Sequence, residues 1–324
     1  MEMLGMDAPV VDTGIEGEAA PPPDDTLSRW LPQDHAGVFP GSFERRSFRF
    51  GHALSAHPLF QLPRLLALAQ RRPDNLDYAY WSNGGVAPQD RWEKGMGAAP
   101  SLAQTIAGIA GNDSLVMLRH LEDDPVYGPL IGALFAQFVE LCGPRLRGDV
   151  VLGRATVIIA SPRRITPYHI DSDSNFLLQL AGHKRLSVLD RAAHAISDEE
   201  LEQFFSGDFN GARYAEQRRA QAAHYDIGPG AGVHIPWTAP HWALNGDDVS
   251  IALSLAYDLR SGYRRAKLHQ FNRRLRSWGL RPSSPGSSRL GDWAKLAAKN
   301  SWNGMRWLAG KRPDPTTEWG WRLR

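Results

Sequence analysis

Residues 150–188 read VVLGRATVIIASPRRITPYHIDSDSNFLLQLAGHKRLSV. It divides into short apolar and β-branched runs: VVLGRATVIIAS (150–161), TPYHIDS (166–172), NFLLQLAG (175–182) and KRLSVLD, which begins at Lys184. Pro, Asp, Ser and Gly separate them. The same grammar continues in AHYDIGPG (223–230), GVHIPW (232–237), HWALNG (241–246) and VSIALSLAYDL (249–259). About eight short strands with turn residues between them, and no alternating helices, predict a jelly roll or barrel rather than a parallel sheet. One polar insertion, 197–222, opens with SDEELEQFF and reads as helical.

Outward from this core the pattern changes. Upstream, Leu62–Arg72 has helical spacing, with Leu62, Leu65, Leu66 and Ala69 on one face. Its basic end suits a helix C-terminus, and Pro73 stops it. Ser101 caps a second predicted helix reaching Ala110, and Tyr127–Leu141 predicts a third. Residues 27–149 therefore form an α+β region expected to pack on the barrel. Downstream, 261–278 reads as a basic helix, followed by the loop PSSPGSS and a Trp-rich tail. The predicted organisation is a disordered acidic arm (1–26), the N-terminal region (27–149), a β core (150–260) and a basic helical tail (261–324).

Composition bounds the chemistry. Apolar residues make up 42% of the 324 and charged residues 22%, an ordinary globular balance. The formal charge of +2 hides an asymmetry. Residues 1–26 carry seven acidic and no basic side chains, and 260–324 carry 16 basic and three acidic ones. Cys142 is the one cysteine, which excludes an intramolecular disulfide and a multi-cysteine zinc or iron–sulfur site within the chain. No apolar run approaches the ~20 residues of a membrane span. The opening residues lack a basic n-region and an apolar h-region, so the expectation is a soluble, cytoplasmic protein.

The residues that carry chemistry are His169, Asp171 and His241. In a strand, positions i and i+2 share a face, so His169 and Asp171 can both aim into the barrel. A histidine from a later strand completes two imidazoles and one carboxylate. That set with open positions is the arrangement of non-haem Fe(II) oxygenases. Taken alone the pattern is weak in a chain with 11 histidines. The alternative is a surface histidine beside a turn aspartate.

The surroundings sharpen it. Thr166-Pro167-Tyr168-His169-Ile170-Asp171 is followed by Asn175 and by Gly182-His183-Lys184; later come Gly228-Pro229-Gly230, Ile235-Pro236 and His241. This order resembles the JmjC/cupin-like Fe(II)- and 2-oxoglutarate-dependent oxygenases, in particular the group containing the factor-inhibiting-HIF asparaginyl hydroxylase and bacterial cupin-like proteins. The resemblance covers roughly 150–260. It implies a double-stranded β-helix with an N-terminal helical region and a C-terminal helical tail. It implies Fe(II) on His169, Asp171 and His241, and 2-oxoglutarate as cosubstrate. Thr166 and Lys184 would hold the distal carboxylate, and Asn175 would lie near the metal-bound end. A tyrosine from an earlier element would complete that site, with Tyr78, Tyr80 and Tyr127 on offer.

Physical chemistry makes the lysine role reasonable. A dianion inside a barrel needs a cation and donors at its far end, or desolvation makes binding costly. The alternatives are a solvated strand-edge lysine at 184 and a turn-capping role for Asn175. The strand after Asp171 places Phe176, Leu178 and Leu180 on one face and Asn175, Leu177 and Gln179 on the other. Which face is inward depends on register. His234 reads as structural and His183 as a turn residue, while His194, His224 and His269 have no spacing partner.

The activity implied is a dioxygenase (hydroxylase) acting on a protein or peptide side chain. The alternatives are a small-metabolite hydroxylase and a non-catalytic cupin-type binding or regulatory protein. For the basic, Trp-rich tail the expectation is an amphipathic helix packed on the barrel or on a second subunit, the latter giving a homodimer through the C-terminal helices. Nucleic acid or an anionic membrane surface is the alternative.

Overall fold

The computed structural model describes residues 29–31, 37–72, 77–95, 100–190 and 196–308, except the side chains of 306 and 307. The predicted acidic arm, His194, and Trp307, Trp319 and Trp321 as side chains lie outside the described set. Before the core come α1 (Val38–Ser42), β1 (Phe48–Gly51), α2 (Leu62–Arg71), β2 (Ala79–Asn83), α3 (Leu102–Ala107), β3 (Ser114–Leu118), α4 (Gly128–Cys142) and α5 (Pro144–Asp149). The core is β4 (Val150–Ala160), β5 (Ile165–His169), β6 (Ser174–Ala181), β7 (Lys184–Val188), then α6 (Asp198–Phe204) and α7 (Glu216–Arg219) in the insertion. It closes with β8 (Ala223–Ile227), β9 (Ala231–Ile235), β10 (His241–Asn245) and β11 (Ser250–Leu259). Helices α8 (Arg260–Ser277) and α9 (Arg289–Leu308) follow. All eight runs read from the sequence are strands.

The strands form two antiparallel sheets. The larger has the order β1-β9-β6-β11-β4-β3-β2, and the smaller β5-β10-β7-β8. Apart from β7 and β8, which flank the insertion, successive core strands pass from one sheet to the other. The β4, β6, β9, β11 layer therefore faces the β5, β7, β8, β10 layer. This is a double-stranded β-helix. The N-terminal region adds strands as well as helices: β1 pairs with β9, and β3 joins β2 to β4.

Three apolar clusters define the layers. Phe176, Leu178 and Leu180 lie with Leu253, Leu255 and Tyr257 on the outer face of the larger sheet, under α2 and α4. Leu177 lies instead with Leu186, Val188, Val233, Ile235 and Ala243 between the sheets. The register question is thereby answered: Asn175, Leu177 and Gln179 point into the barrel. The smaller sheet's outer face, with Tyr168, Ile170, Leu189 and Trp242, is covered by Leu201, Phe204 and Phe205 of the insertion.

Local chemistry sets the helix boundaries. Ser101 with Gln104, and Ser197 with Glu200, each form a capping box. Gly143, at φ +69°, ends α4 in a conformation that a β-carbon disfavours. Phe176 stacks on Phe138 of α4 at 4.1 Å and touches Phe39, Phe43 and Phe50, which joins the N-terminal region to the sheet. Phe176→Ala is expected to cost about 3–5 kcal/mol of stability, read as a lower urea midpoint with little change in slope.

Helix α9 has an unusual orientation. Leu290, Trp293, Met305 and Leu308 are exposed, whereas Lys299 is buried and Lys295 donates to the carbonyl of Ser283. No helix among the described residues is long and apolar enough to cross a membrane.

Candidate metal and cosubstrate site

His169 ends β5 and His241 opens β10, and the two residues are direct cross-strand partners. Their rings lie 4.1 Å apart. Asp171 is not in the strand, as expected from i, i+2 spacing, but in the turn that follows it. The turn nevertheless returns its carboxylate to the pair: Asp171 Oδ2 is 3.5 Å from His241 Nε2, and Oδ1 is 3.9 Å from His169 Nε2. All three donors fall within 4.8 Å of one another. An ion at about 2.1 Å from each would bring neighbouring donors to about 3 Å, so closure requires only small side-chain movements.

The imidazole tautomers are fixed by their backbone partners. His169 Nδ1 lies 2.8 Å from the carbonyl of Pro167, and His241 Nδ1 lies 2.9 Å from that of Ala239. A carbonyl only accepts, so each Nδ1 carries the hydrogen and each Nε2 presents a lone pair to Asp171. Burial, with His169 alongside, pushes the His241 pKa down to about 4, so the ring stays neutral at physiological pH. Two imidazole Nε2 atoms and a carboxylate on one face fit a divalent ion with open positions.

The other predicted residues lie along the same interior wall. Lys184 opens β7 opposite Asn245 of β10, while His241 sits opposite Val188. Four residues of strand separate the two levels by about 13 Å. The imidazole from one end and the four-carbon lysine stem from the other shorten that gap to the length of a small dicarboxylate. Thr166 is three residues from His169, an odd offset that would turn it outward in a regular strand. A β-bulge corrects this. The register slips between His241 and Ala243, and Thr166 pairs with the inward-facing Ala243. Lys184 is 6% exposed, and among the described residues no carboxylate lies within ion-pair distance of it. Burial pulls its pKa from 10.5 down to about 8.

Asn175 is also interior. Its Nδ2 donates to Ser254 Oγ at 2.6 Å, and its Oδ1 has no hydrogen-bond partner among the described residues. This is not a turn cap. The three tyrosines separate cleanly. Tyr127 lies in the outer core and donates to the carbonyl of Leu59. Tyr78 is exposed. Tyr80 belongs to the cross-strand row Tyr80–Met117–Ile158–Ala252–Gln179, on the inner face at the Lys184 end. Of the three, Tyr80 is therefore the one on the interior wall, and its hydroxyl donates to the carbonyl of Trp92 at 2.8 Å. His234 is fully buried and takes the structural role expected of it. Its Nδ1 donates to the carbonyl of Asn175, and its Nε2 accepts from the backbone N–H of Glu44. His183 is an exposed turn residue.

Sequence reading missed two features. Trp92 stacks on Tyr80 at 5.7 Å, and its ring lies 4.8 Å from that of His169. Asn210 of the insertion accepts the Trp92 backbone N–H at 3.0 Å, so insertion and metal end are joined. Near Asp171, Arg154 binds Asp258 at 2.7 Å and Asp173 at 3.0 Å. Burial and Asp171 push the Asp173 carboxyl up, against the pull of Arg154. Neither feature has a periodic or motif signal, because each joins loops distant in sequence.

No protein-family model matches the chain, and no curated protein does. Among solved structures, one of E. coli ycfD aligns over 83% of this chain and 67% of its own, at 12% identity and a TM-score of 0.48. A structure described as YcfD, a ribosomal oxygenase from Escherichia coli in complex with cobalt and 2-oxoglutarate, aligns over 84% and 66%, again at 12% identity and 0.48. An oxalate decarboxylase from Bacillus subtilis aligns over 33% and 21%, at 15% identity and a TM-score of 0.22. The chain thus spans about two-thirds of the length of the ycfD structures.

Proposed function

We propose that this chain is an Fe(II)- and 2-oxoglutarate-dependent dioxygenase that hydroxylates a protein or peptide side chain. One observation carries the reading. A facial His169, Asp171, His241 set and a buried lysine with no carboxylate in ion-pair distance among the described residues face the same interior, one short dicarboxylate apart. A buried ammonium without a counter-ion is costly, and an anionic ligand offsets that cost. A cupin that used only the metal would have no need for Lys184.

Within this reading His169, Asp171 and His241 hold the iron, which supplies O2 activation coupled to oxidative decarboxylation of the keto acid, giving succinate, CO2 and a hydroxylated product. The chain's own residues do the rest. Lys184 neutralises the far carboxylate. Thr166 donates a hydroxyl hydrogen bond at the same end, and Tyr80, whose hydroxyl donates to the carbonyl of Trp92 at 2.8 Å, lines the wall beside it. Asn175 offers its amide near the metal. Trp92 walls the metal end and, with the apolar interior, limits water. A substrate side chain would approach from the side of Asp171, whose carboxylate is 37% exposed.

The test is succinate formation from 2-oxoglutarate with Fe(II) and ascorbate, with and without peptide pools. Peptide-stimulated, iron-dependent succinate is expected, and absence of turnover under all conditions argues against the reading. Thr166→Val removes one hydrogen bond to a carboxylate, about 1–2 kcal/mol. The KM for 2-oxoglutarate should rise roughly 5- to 30-fold, with kcat changed far less; an unchanged KM removes Thr166 from the site. A cytoplasmic location belongs to the same reading. For the tail, we propose a second copy as the partner of α8 and α9. Light scattering tests it, with anionic vesicles and nucleic acid as competing ligands across salt concentrations.

A further inference from the structure

Trp237 is among the largest fully buried side chains and lies four residues before His241. Its indole Nε1–H donates to the carbonyl of Ser172 at 2.9 Å. The next residue, Thr238, donates its backbone N–H to the carbonyl of Asp171 itself at 3.2 Å. The segment delivering His241 therefore grips the turn delivering Asp171 by two consecutive carbonyls. Thr238 stands at φ +56°, an uncommon conformation for a β-branched residue, and its hydroxyl donates to the carbonyl of Trp237 at 2.7 Å. On the other side of the segment, the Trp237 backbone N–H donates to the Glu44 carboxylate at 3.2 Å.

The indole is also held from outside the barrel. Phe205 of the insertion stacks on it at 5.4 Å and 15°. The Arg265 guanidinium of α8 lies 5.8 Å over the ring. Gly262 of α8 faces Nε1 so closely that a β-carbon there would stand 2.7 Å away. Only glycine lets α8 pack while the indole keeps its bond to Ser172. Gly262 is not in a left-handed conformation, so close approach rather than backbone freedom explains it.

From this geometry we infer that Trp237 is a positioning residue, fixing the Asp171 turn against His241 and making metal-site geometry depend on α8. The inference rests on the reading that His169, Asp171 and His241 bind a metal. A purely packing role would need the ring but not the Nε1–H bond. The basic C-terminal helix then belongs to the catalytic unit, as the back wall of its metal site.

The test measures metal affinity directly, by titrating apo-protein with Co(II) and following its visible absorption. Trp237→Phe keeps an aromatic ring against Phe205 but loses the bond to Ser172. Co(II) affinity is expected to fall about 10- to 100-fold, the range for groups that orient metal ligands, with an altered absorption envelope. Gly262→Ala should shift both in the same direction. Tyr257→Phe is the control. It deletes a comparable bond, from Tyr257 Oη to the carbonyl of Phe135 at 3.3 Å, on the opposite face of the larger sheet. It should lower stability and leave Co(II) binding unchanged. Unchanged affinity and spectrum in Trp237→Phe, whatever its stability, overturn the positioning role. If that variant does not fold, Gly262→Ala decides by the same readout. A wild type that binds no Co(II) refutes the metal site itself, a different failure from unaltered binding in the variants.

Discussion

Asp171→Ala and His241→Ala are each expected to bring iron-dependent succinate formation to background and to abolish stoichiometric binding of a divalent ion. Two remaining donors do not hold a labile first-row ion at a site that must also leave positions open. Folding should survive. Asp171 is 37% exposed and in a turn, so its removal leaves no core cavity. His241 is buried, and its Nδ1 bonds the carbonyl of Ala239, so His241→Ala gives up that bond and some packing. Circular dichroism and metal analysis on the same samples separate loss of metal from loss of fold. Full turnover in either variant would move the metal elsewhere.

Lys184→Met is expected to improve stability and damage binding together. Among the described residues the buried wild-type ammonium has no counter-charge, and burial lowers its pKa from 10.5 to about 8. At about 1.4 kcal/mol per pKa unit, this corresponds to about 3 kcal/mol of destabilisation at neutral pH. The sign follows from proton binding. Below pH 8 the lysine is charged in both states and the folded state carries the full penalty. Between pH 8 and 10.5 the folded protein sheds the proton while the unfolded chain keeps it, so wild-type stability rises with pH. Above 10.5 the penalty is gone. The methionine variant should therefore exceed wild type in urea midpoint at pH 7, with the gap narrowing between pH 8 and 10.5. Its requirement for 2-oxoglutarate should rise roughly 10- to 100-fold, the worth of a charge-assisted hydrogen bond of about 1.5–3 kcal/mol. In the wild type, 2-oxoglutarate affinity should weaken as pH rises through about 8. A variant that is less stable than wild type and binds 2-oxoglutarate equally well would make Lys184 an ordinary structural residue.

These two results turn on residues that the sequence displays openly. The eight strands were legible because short apolar runs and their Gly, Pro and Asp boundaries are local signals. His169 and His241 were legible as the ends of such runs. The remainder depends on register. Only pairing with β9 and β11 shows that Asn175 faces inward and Phe176 outward. Only the bulge opposite His241 and Ala243 turns Thr166 into the barrel, against the alternation that strand periodicity predicts. The choice of Tyr80 over Tyr78 and Tyr127 comes from a row of five residues across five strands. Spacing predicts Asp171 in a strand, yet it occupies a turn that Trp237 and Thr238 hold. Trp92 reaches His169 from a loop with no periodicity at all.

On the function proposed, one interior holds a metal at His169, Asp171 and His241 and a dicarboxylate between that metal and Lys184. Calorimetric titration of 2-oxoglutarate into anaerobic, Fe(II)-loaded protein tests it without knowledge of the hydroxylated substrate. One equivalent is expected to bind, with binding lost when iron is removed and weakened at least tenfold in Lys184→Met. Binding that is equally strong without iron, or equally strong in the lysine variant, would contradict it.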